Sequence, residues 1–518
     1  MQYNLRLLTI LILLFYFSSK IDYLQNDEYA HFSQVQAFMS GNFNLKSYML
    51  PTFYVQGLVG ALFAYFFGIE HLAVLTLIFS LGCFVIFQLI LMKVLNLNFY
   101  KSFLFSMFLI LNPLFIYSTF GFMTEIYYLF FFLLTLFLFY RYEKNLNVKH
   151  LLLADFTCVL GFFVRQISVL FFAVSAIYFL VNKRYKEAVY QVLIFLCVMG
   201  YYALLFPKSE MMKSTGLLSP DIFDLQRAVS VFWAILIYVA VFLLGLVGSM
   251  VLQKDTLSRV KKVGALGTVI GVALILFLTF KPAEITHTSY LLGSNIQTSY
   301  GSAEFPYFGN IFGREGFYPD NLEGVKYHYT GYFDLFKYLE LAGIFGAFVI
   351  VVWTVLNFKK LFHNFEFLFI CVYMLSLMAI PKIYDRYLIT LIPLFLILFA
   401  RYIVNLNKIK VALLSVNLLF LLFLGYQYTS DFYLVNKYVW EKSNNLVLDG
   451  VVPGQIKAGH SWTKLYPNES KEWKYYIGYS GVEKQIGTDG FRLLDKHKIG
   501  FPFSLYIDPY VYLYERVK

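Results

Sequence analysis

Residues 27–43 read Asp27-Glu28-Tyr29-Ala30-His31-Phe32-Ser33-Gln34-Val35-Gln36-Ala37-Phe38-Met39-Ser40-Gly41-Asn42-Phe43. They follow the first apolar run of the chain directly, which sets two adjacent carboxylates at a membrane surface, where ionised groups are costly unless they do something. Asp27, His31, Gln34 and Phe38 recur with a helical period. The spacing predicts a short amphipathic helix that holds these groups on one side while Phe32, Val35 and Met39 meet lipid or protein. Gly41 is the expected stop, since glycine accepts the left-handed backbone that closes a helix.

The rest of the composition decides what surrounds that stretch. Of 518 residues, 59% are hydrophobic and 14% charged, with 58 Phe and 43 Tyr. No soluble core absorbs so many long apolar runs, and the expected fold class is an α-helical polytopic membrane protein. The net charge of +11 invites a nucleic-acid reading. Yet the basic residues sit mainly in short loops between apolar spans, where they act as topology signals. Cys83, Cys158, Cys197 and Cys371 lie within apolar runs at unrelated spacings, which argues for packing residues over a zinc site or an external disulfide framework.

Residues 5–19 are apolar, preceded by Arg6, and Ser18-Ser19-Lys20 offers no convincing cleavage site, so we read an uncleaved first helix with a cytoplasmic N-terminus. Thr52 to Gly68 is near the lower length limit for crossing a bilayer. Counting it as a span puts Lys93 and Lys101 outside and inverts every later loop, so it is read as a membrane-dipping helix on the outer face. Spans are then expected at 71–92, 102–120, 125–140, 150–164, 167–181, 188–206, 228–251, 263–280, 337–357, 364–380, 387–402 and 409–427, about thirteen with the first. The cytoplasmic loops hold Arg141, Lys144 and Lys149; Lys183, Arg184 and Lys186; Lys254, Arg259, Lys261 and Lys262; Lys359 and Lys360; and Arg401, Lys408 and Lys410.

This topology puts Asp27, Glu28, Glu125, Arg165 and Arg386 at the outer face, although they were not used to build it. It divides the chain into a transmembrane domain, 1–427, with outer loops 20–70, 207–227 and 281–336, and a C-terminal extracytoplasmic domain, 428–518. The loop 281–336, rich in Gly, Tyr and Asn, is long enough to fold over a site as a lid. In the C-terminal domain charge rises, Gly and Pro recur, and the runs Leu446 to Val452 and Tyr506 to Tyr514 read as strands, so a small α/β domain is expected. From Asp431 onward it holds 12 Lys and Arg against 10 Asp and Glu, a near balance that leaves no footprint for nucleic acid.

The stretch after the first span resembles the first luminal loop of GT-C class membrane glycosyltransferases. Asp27, Glu28, His31, Gln34, Gln36, Ala37, Phe38, Gly41 and Phe43, with Leu50, Pro51 and Tyr54 beyond, are most similar to the dolichyl-phosphate-glucose α-1,2-glucosyltransferases, a match of about thirty residues. Thr124-Glu125, Arg165-Gln166 and Tyr384-Asp385-Arg386-Tyr387 resemble the broad class. The resemblance implies a GT-C-like fold and a polyprenyl-phosphate sugar donor. It also implies a lipid, glycan or protein acceptor and inversion at the anomeric carbon in a single displacement. A C-terminal domain of this kind is carried by many bacterial members, so the resemblance points to a bacterial or archaeal cell membrane with the active site on the extracytoplasmic side.

Such a transfer differs from glycoside hydrolysis in its leaving group. A hydrolase needs an acid to protonate an alkoxide, hence two opposed carboxylates. A phosphate leaves without a proton, so one carboxylate base and one cation suffice. Asp27 fits the base, with Glu28 beside it as the second catalytic candidate. Arg386 and Arg165 fit the cation, because a guanidinium matches phosphate geometry. His31, Gln34, Glu125 and Tyr384 complete the expected substrate-binding set. Five of these candidates have a competing structural role: Asp27 as a solvated boundary charge, His31 as a packed histidine, Glu125 as a favourable charge at a helix start, Arg165 as a hairpin marker, and Arg386 as the partner of Asp385. Asp155 reads as structural, near the cytoplasmic end of its span. No metal-ligand pattern stands out, and a divalent metal stays open only through Glu125. A transporter or flippase of lipid-linked saccharides, and a non-catalytic assembly subunit, are the competing functions. The first would favour internal repeats and charges at the midplane, neither of which the sequence displays.

Overall fold

The apolar runs fold as helices whose lengths separate true spans from shorter pieces. A computed structural model describes residues 21–46, 49, 52–204, 225–252, 265–279, 282, 286–291, 294–299, 304–318, 322, 335–380, 383–403, 406–468, 472–479, 490–500 and 510–517. The helices are α1 (Glu28–Met39), α2 (Val55–Phe67), α3 (Leu72–Leu89), α4 (Phe99–Ile110), α5 (Pro113–Thr119), α6 (Thr124–Asn145), α7 (Val148–Phe162), α8 (Leu170–Val181), α9 (Tyr185–Leu204) and α10 (Leu225–Phe242). They continue with α11 (Leu244–Val251), α12 (Ala265–Thr279), α13 (Leu335–Leu361), α14 (Phe365–Ala379), α15 (Leu391–Tyr402), α16 (Lys408–Leu448) and α17 (His460–Leu465). The expected first span, the loop 207–224, the cationic loop holding Lys254, Arg259, Lys261 and Lys262, and Leu50 and Pro51 lie outside the described residues.

Among the described residues six helices are long and apolar enough to cross a membrane: Ile69–Val94, Thr124–Asn145, Tyr185–Leu204, Leu225–Phe242, Leu335–Leu361 and Lys408–Leu448. A seventh is added if the bent pair α4 and α5 is one span. The run expected as one helix over 102–120 instead bends by 72° between them. The cause is Pro113, which has no N–H and forces the residue before it out of the helical region. Asn112 accordingly sits at φ −64°, ψ 130°, and its side chain accepts from Leu114 N. Other expected spans are shorter than a bilayer is thick: α8 has 12 residues and α14 has 15, about 18 and 22 Å. The run 228–251 breaks at Leu243 into α10 and α11. Thr52 to Gly68 yields α2, whose 13 residues reach about 20 Å, too short to cross. One side of α2 lies against α1 while Leu62, Tyr65, Phe66 and Phe67 stay exposed, as a helix lying in the interface requires.

The two ends of α6 hold two different charge clusters. At its start Glu125 meets Arg165 and Arg386. At its end Glu143 pairs with Arg184, which also holds Glu187, and one turn earlier Tyr140 donates to Glu366, the partner of Arg401. The 22 residues between give about 33 Å, the thickness of the hydrocarbon layer. Arg141, Lys144, Arg184 and Arg401, expected inside, and Glu125, Arg165 and Arg386, expected outside, therefore fall at opposite ends of α6. Single cysteines at Asn42 or Glu304 are expected to react with an impermeant thiol reagent from outside intact cells, and at Lys144 or Lys359 only after permeabilisation. Labelling of Asn42→Cys and Lys144→Cys from the same side would sink this topology.

The boundary expected at 427 falls inside α16, which runs unbroken for 41 residues. Hydropathy marks where the helix leaves lipid, but no Gly or Pro interrupts it between Tyr426 and Leu448. The run Leu446 to Val452 is therefore helix end and turn, closed by Gly450 at φ 88°, and not a strand. The outer part of α16 carries a four-stranded sheet. Strand β1 (Ile456–Lys457) pairs parallel with β2 (Tyr475–Tyr479), β4 (Tyr510–Arg516) lies antiparallel to β2, and β3 (Phe491–Lys498) pairs antiparallel with β4. Tyr438 fastens the sheet to α16 by donating to Asp495 at 2.8 Å and stacking on His497.

Candidate active site

The site begins at the entry of α1. Asp27 occupies the N-cap position but makes no capping bond, although an aspartate there ordinarily accepts from the first helical N–H groups. Its carboxylate turns outward. Oδ2 lies 3.6 Å from Arg386 Nη1 and Oδ1 lies 3.6 Å from His460 Nε2. Glu125, buried in the first turn of α6, accepts through Oε1 from Arg165 Nη2 at 2.9 Å, and the same oxygen is 3.6 Å from Arg386 Nε. Arg386 thus bridges two carboxylates. The Tyr384 ring lies 4.8 Å from its guanidinium, and Tyr387 faces both Arg386 and Arg165.

Two local features put Arg386 there. The chain enters α15 through a 3-10 turn, Asp385–Thr390, after the extended Tyr384. The Asp385 carboxylate forms no ion pair with the Arg386 guanidinium, the pairing one reading of the sequence had, although it lies within reach of the Arg386 backbone N–H and charge. Its carboxylate accepts from Ile311 N at 3.1 Å and from Phe312 N at 2.7 Å, pinning the described part of the outer loop, 304–318, beside the site. Burial pushes Asp385 up to about 6, against the pull of those two N–H donors and of the N–H and charge of Arg386.

The neighbours Asp27 and Glu28 are driven apart in acidity. Desolvation works against ionised Asp27, but the His460 ring and the Arg386 charge outweigh it and hold the group at about 2. Burial pushes Glu28 up to about 7, with two backbone donors opposing. Those donors define its place: Glu28 Oε2 accepts from Gln25 N and Oε1 from Phe122 N, each at 2.7 Å. Glu28 therefore ties α1 to the turn before α6. In that turn Gly121 lets Gln25 approach so closely that a Cβ would collide with Gln25 Oε1. Glu28→Gln is expected to set an amide N–H₂ against one of the two N–H donors and lose about 1–3 kcal/mol of stability. Thermal unfolding in detergent should show a lower midpoint, with turnover kept in the folded fraction. An unchanged midpoint with lost turnover would instead put Glu28 in the chemistry.

Of the remaining expected residues, His31 is near the cluster and Gln34 is not. His31 is buried, stacks on Phe53 at 4.7 Å, and places Nδ1 2.9 Å from Phe122 O. A carbonyl only accepts, so Nδ1 donates and Nε2 of the neutral ring is an acceptor. Burial holds the imidazole below its ordinary value, while Asp27, Glu125 and Arg386 all lie within its electrostatic reach. Gln34 bonds Asn44 O and Lys46 N, fixing the chain after Gly41, which does close α1 at φ 81°. Val35, expected to meet lipid or protein, is buried in the core, and Met39 is exposed.

Two residues join the site that the sequence did not single out. His460 comes from α17 in the C-terminal region. Tyr117, on α5, has a buried hydroxyl without a hydrogen-bond partner, within electrostatic reach of Arg386, Asp27 and Glu125. Glu125 Oε2 and Arg386 Nε are likewise buried without a hydrogen-bond partner, although Nε keeps its ion pair with Glu125 Oε1. Among the described residues no group of three His, Cys, Asp or Glu side chains is placed to hold a metal ion. Both Asp27 and Glu125 already face guanidiniums, which makes them a poor donor set for a divalent cation. What the cluster offers is an ionised, partly exposed carboxylate beside two guanidiniums flanked by tyrosine rings. Comparison with family models, with curated proteins and with solved structures finds no match.

Proposed function

We propose that this protein is an inverting glycosyltransferase, moving a sugar from a polyprenyl-phosphate carrier to a lipid, glycan or protein hydroxyl at the outer face of a membrane. One observation carries the reading: ionised Asp27 lies 3.6 Å from Arg386, which shares Glu125 with Arg165. A base and a phosphate-sized pair of guanidiniums stand side by side, and that is the minimum this reaction needs. The acceptor oxygen attacks the anomeric carbon while the carbon–oxygen bond to the phosphate breaks. The bonding pair leaves with the phosphate, whose growing charge meets Arg386 and Arg165, and the acceptor proton passes to Asp27. Glu125 holds both guanidiniums and keeps Arg386 aimed beside Asp27, and Tyr384 and Tyr387 restrict how Arg386 turns.

The test is incubation of the purified protein with a panel of farnesyl-phosphate hexoses and pentoses plus a cell-envelope lipid extract, with mass spectrometry of the products. Release of farnesyl phosphate together with a glycosylated product supports the reading. If every donor stays intact, and proteoliposomes carry a lipid-linked saccharide between leaflets, the protein is a transporter.

A further inference from the structure

We infer that the C-terminal region completes the site, with His460 as a positioning residue that holds the Asp27 carboxylate ready for the acceptor proton; this rests on the glycosyl-transfer reading above. Asp27 needs such help. Its side chain is 44% exposed and makes no capping bond, so little in α1 itself fixes its plane. Arg386 and His460 approach it on different oxygens. Once a donor phosphate engages Arg386, the contact that remains to orient Asp27 is the one from His460.

The mount of His460 is rigid. Ser461, its neighbour, donates to Asn26 O at 2.8 Å, and both residues are buried. Asn26 itself is left-handed at φ 39°, which turns its carbonyl out of the chain toward α17, and asparagine tolerates that backbone better than most residues. Trp462 anchors the other side of α17 by donating to Pro453 O at 3.2 Å and packing edge-on against Trp440 of α16. The rings of Tyr29 and Tyr318 flank the imidazole at 5.9 and 6.2 Å, so it is walled in by the outer loops as well. A contact between residues so distant in sequence, held by a buried hydrogen bond and a tryptophan pair, is built like the support of a catalytic group. Nε2 is buried and has no hydrogen-bond partner, so a small movement of Asp27 on losing Arg386 to the phosphate would close the 3.6 Å gap into a bond.

The experiment compares His460→Ala and His460→Gln with the wild-type full chain. It uses a farnesyl-phosphate sugar that the wild type cleaves in the presence of the lipid extract, with farnesyl phosphate itself as the binding probe. His460→Ala is expected to slow farnesyl phosphate release by about 10-fold or more, with unchanged affinity for farnesyl phosphate and an unchanged melting midpoint. The glutamine variant should recover part of the rate by hydrogen bonding. Arg386 and the neutral His31 also face Asp27, and with His460 gone the acid limb of the rate should move to higher pH, because the carboxylate has lost a partner that favours its anion. Unchanged release, or a fall in release matched by a fall in melting midpoint and no movement of the acid limb, overturns the inference. If the wild type cleaves no donor, the proposed function fails first, and the role of His460 with it.

Discussion

Asp27→Asn is expected to bind donor normally and to lose turnover by roughly 10²-fold or more, the usual scale for removing a positioned general base. The amide keeps the size of the side chain but has no anionic oxygen to take the acceptor proton. Donor affinity should survive, because Arg386 and Arg165 keep Glu125 as their buried counter-charge. Asp27→Glu should also be slow, since one added methylene misplaces the oxygen for attack. The acidity of Asp27 gives a second check. Its folded value of about 2 lies below the ordinary carboxylate value near 3.9. The interactions of the anion therefore stabilise the fold above that ordinary range and are lost only as pH falls through about 2. A rate that depends on Asp27 alone has no acid limb between pH 5 and 8. A limb near 6 to 7 would point to Asp385, at about 6, or Glu28, at about 7. So acidic a group is a weak base in the free protein, and the arrangement answers that through its neighbour. On the proposed reaction, a phosphate bound at Arg386 would offset the guanidinium charge, raise the Asp27 value and make it a better base, so donor is expected to bind before acceptor. Near-normal transfer by Asp27→Asn would remove it from the chemistry.

How much of this was legible in the chain depends on how each contact is made. Asp27, Glu125, Arg165 and Arg386 each stand beside an apolar run, so the charge rule that orients the runs put them on one face, and the structure brings them within ion-pair distance. Glu28 and Gln34 sit in the same motif with the same chemistry, and only coordinates reveal that their polar atoms are taken by the backbone of Gln25 and Phe122, and of Asn44 and Lys46. Tyr117 was hidden in an aromatic run that reads as lipid-facing span until Pro113 bends it toward the site. His460 had no local signal at all. Its approach depends on α16 running past the membrane surface for several turns and carrying the C-terminal fold back to Asn26, a contact across 435 positions. Hydropathy reports the membrane boundary at residue 427, and a helix is free to ignore it when no breaker intervenes.

Arg386→Ala is expected to weaken donor binding by about 10²-fold, the result of losing about 2–3 kcal/mol from one buried charge contact to phosphate. The guanidinium is largely buried, with a 13% exposed side chain, between Asp27 and Glu125, and it stacks on Tyr384. Its removal leaves Glu125 still paired with Arg165 at 2.9 Å and Asp27 still facing His460, so neither carboxylate is abandoned and the protein should fold. Arg386→Lys restores the charge without the planar fork, and a point charge cannot meet both carboxylates and a phosphate oxygen as the guanidinium does, so recovery should be partial. Both variants should lose turnover beyond the loss in affinity, because the charge on a departing phosphate grows as the bond breaks and the cation counts for more in the transition state than in the bound donor. Binding of farnesyl phosphate and single-turnover release, measured on the same preparations, separate the two effects. If the alanine variant binds and releases like the wild type, Arg386 serves only to neutralise Glu125, and the phosphate must be held by Arg165.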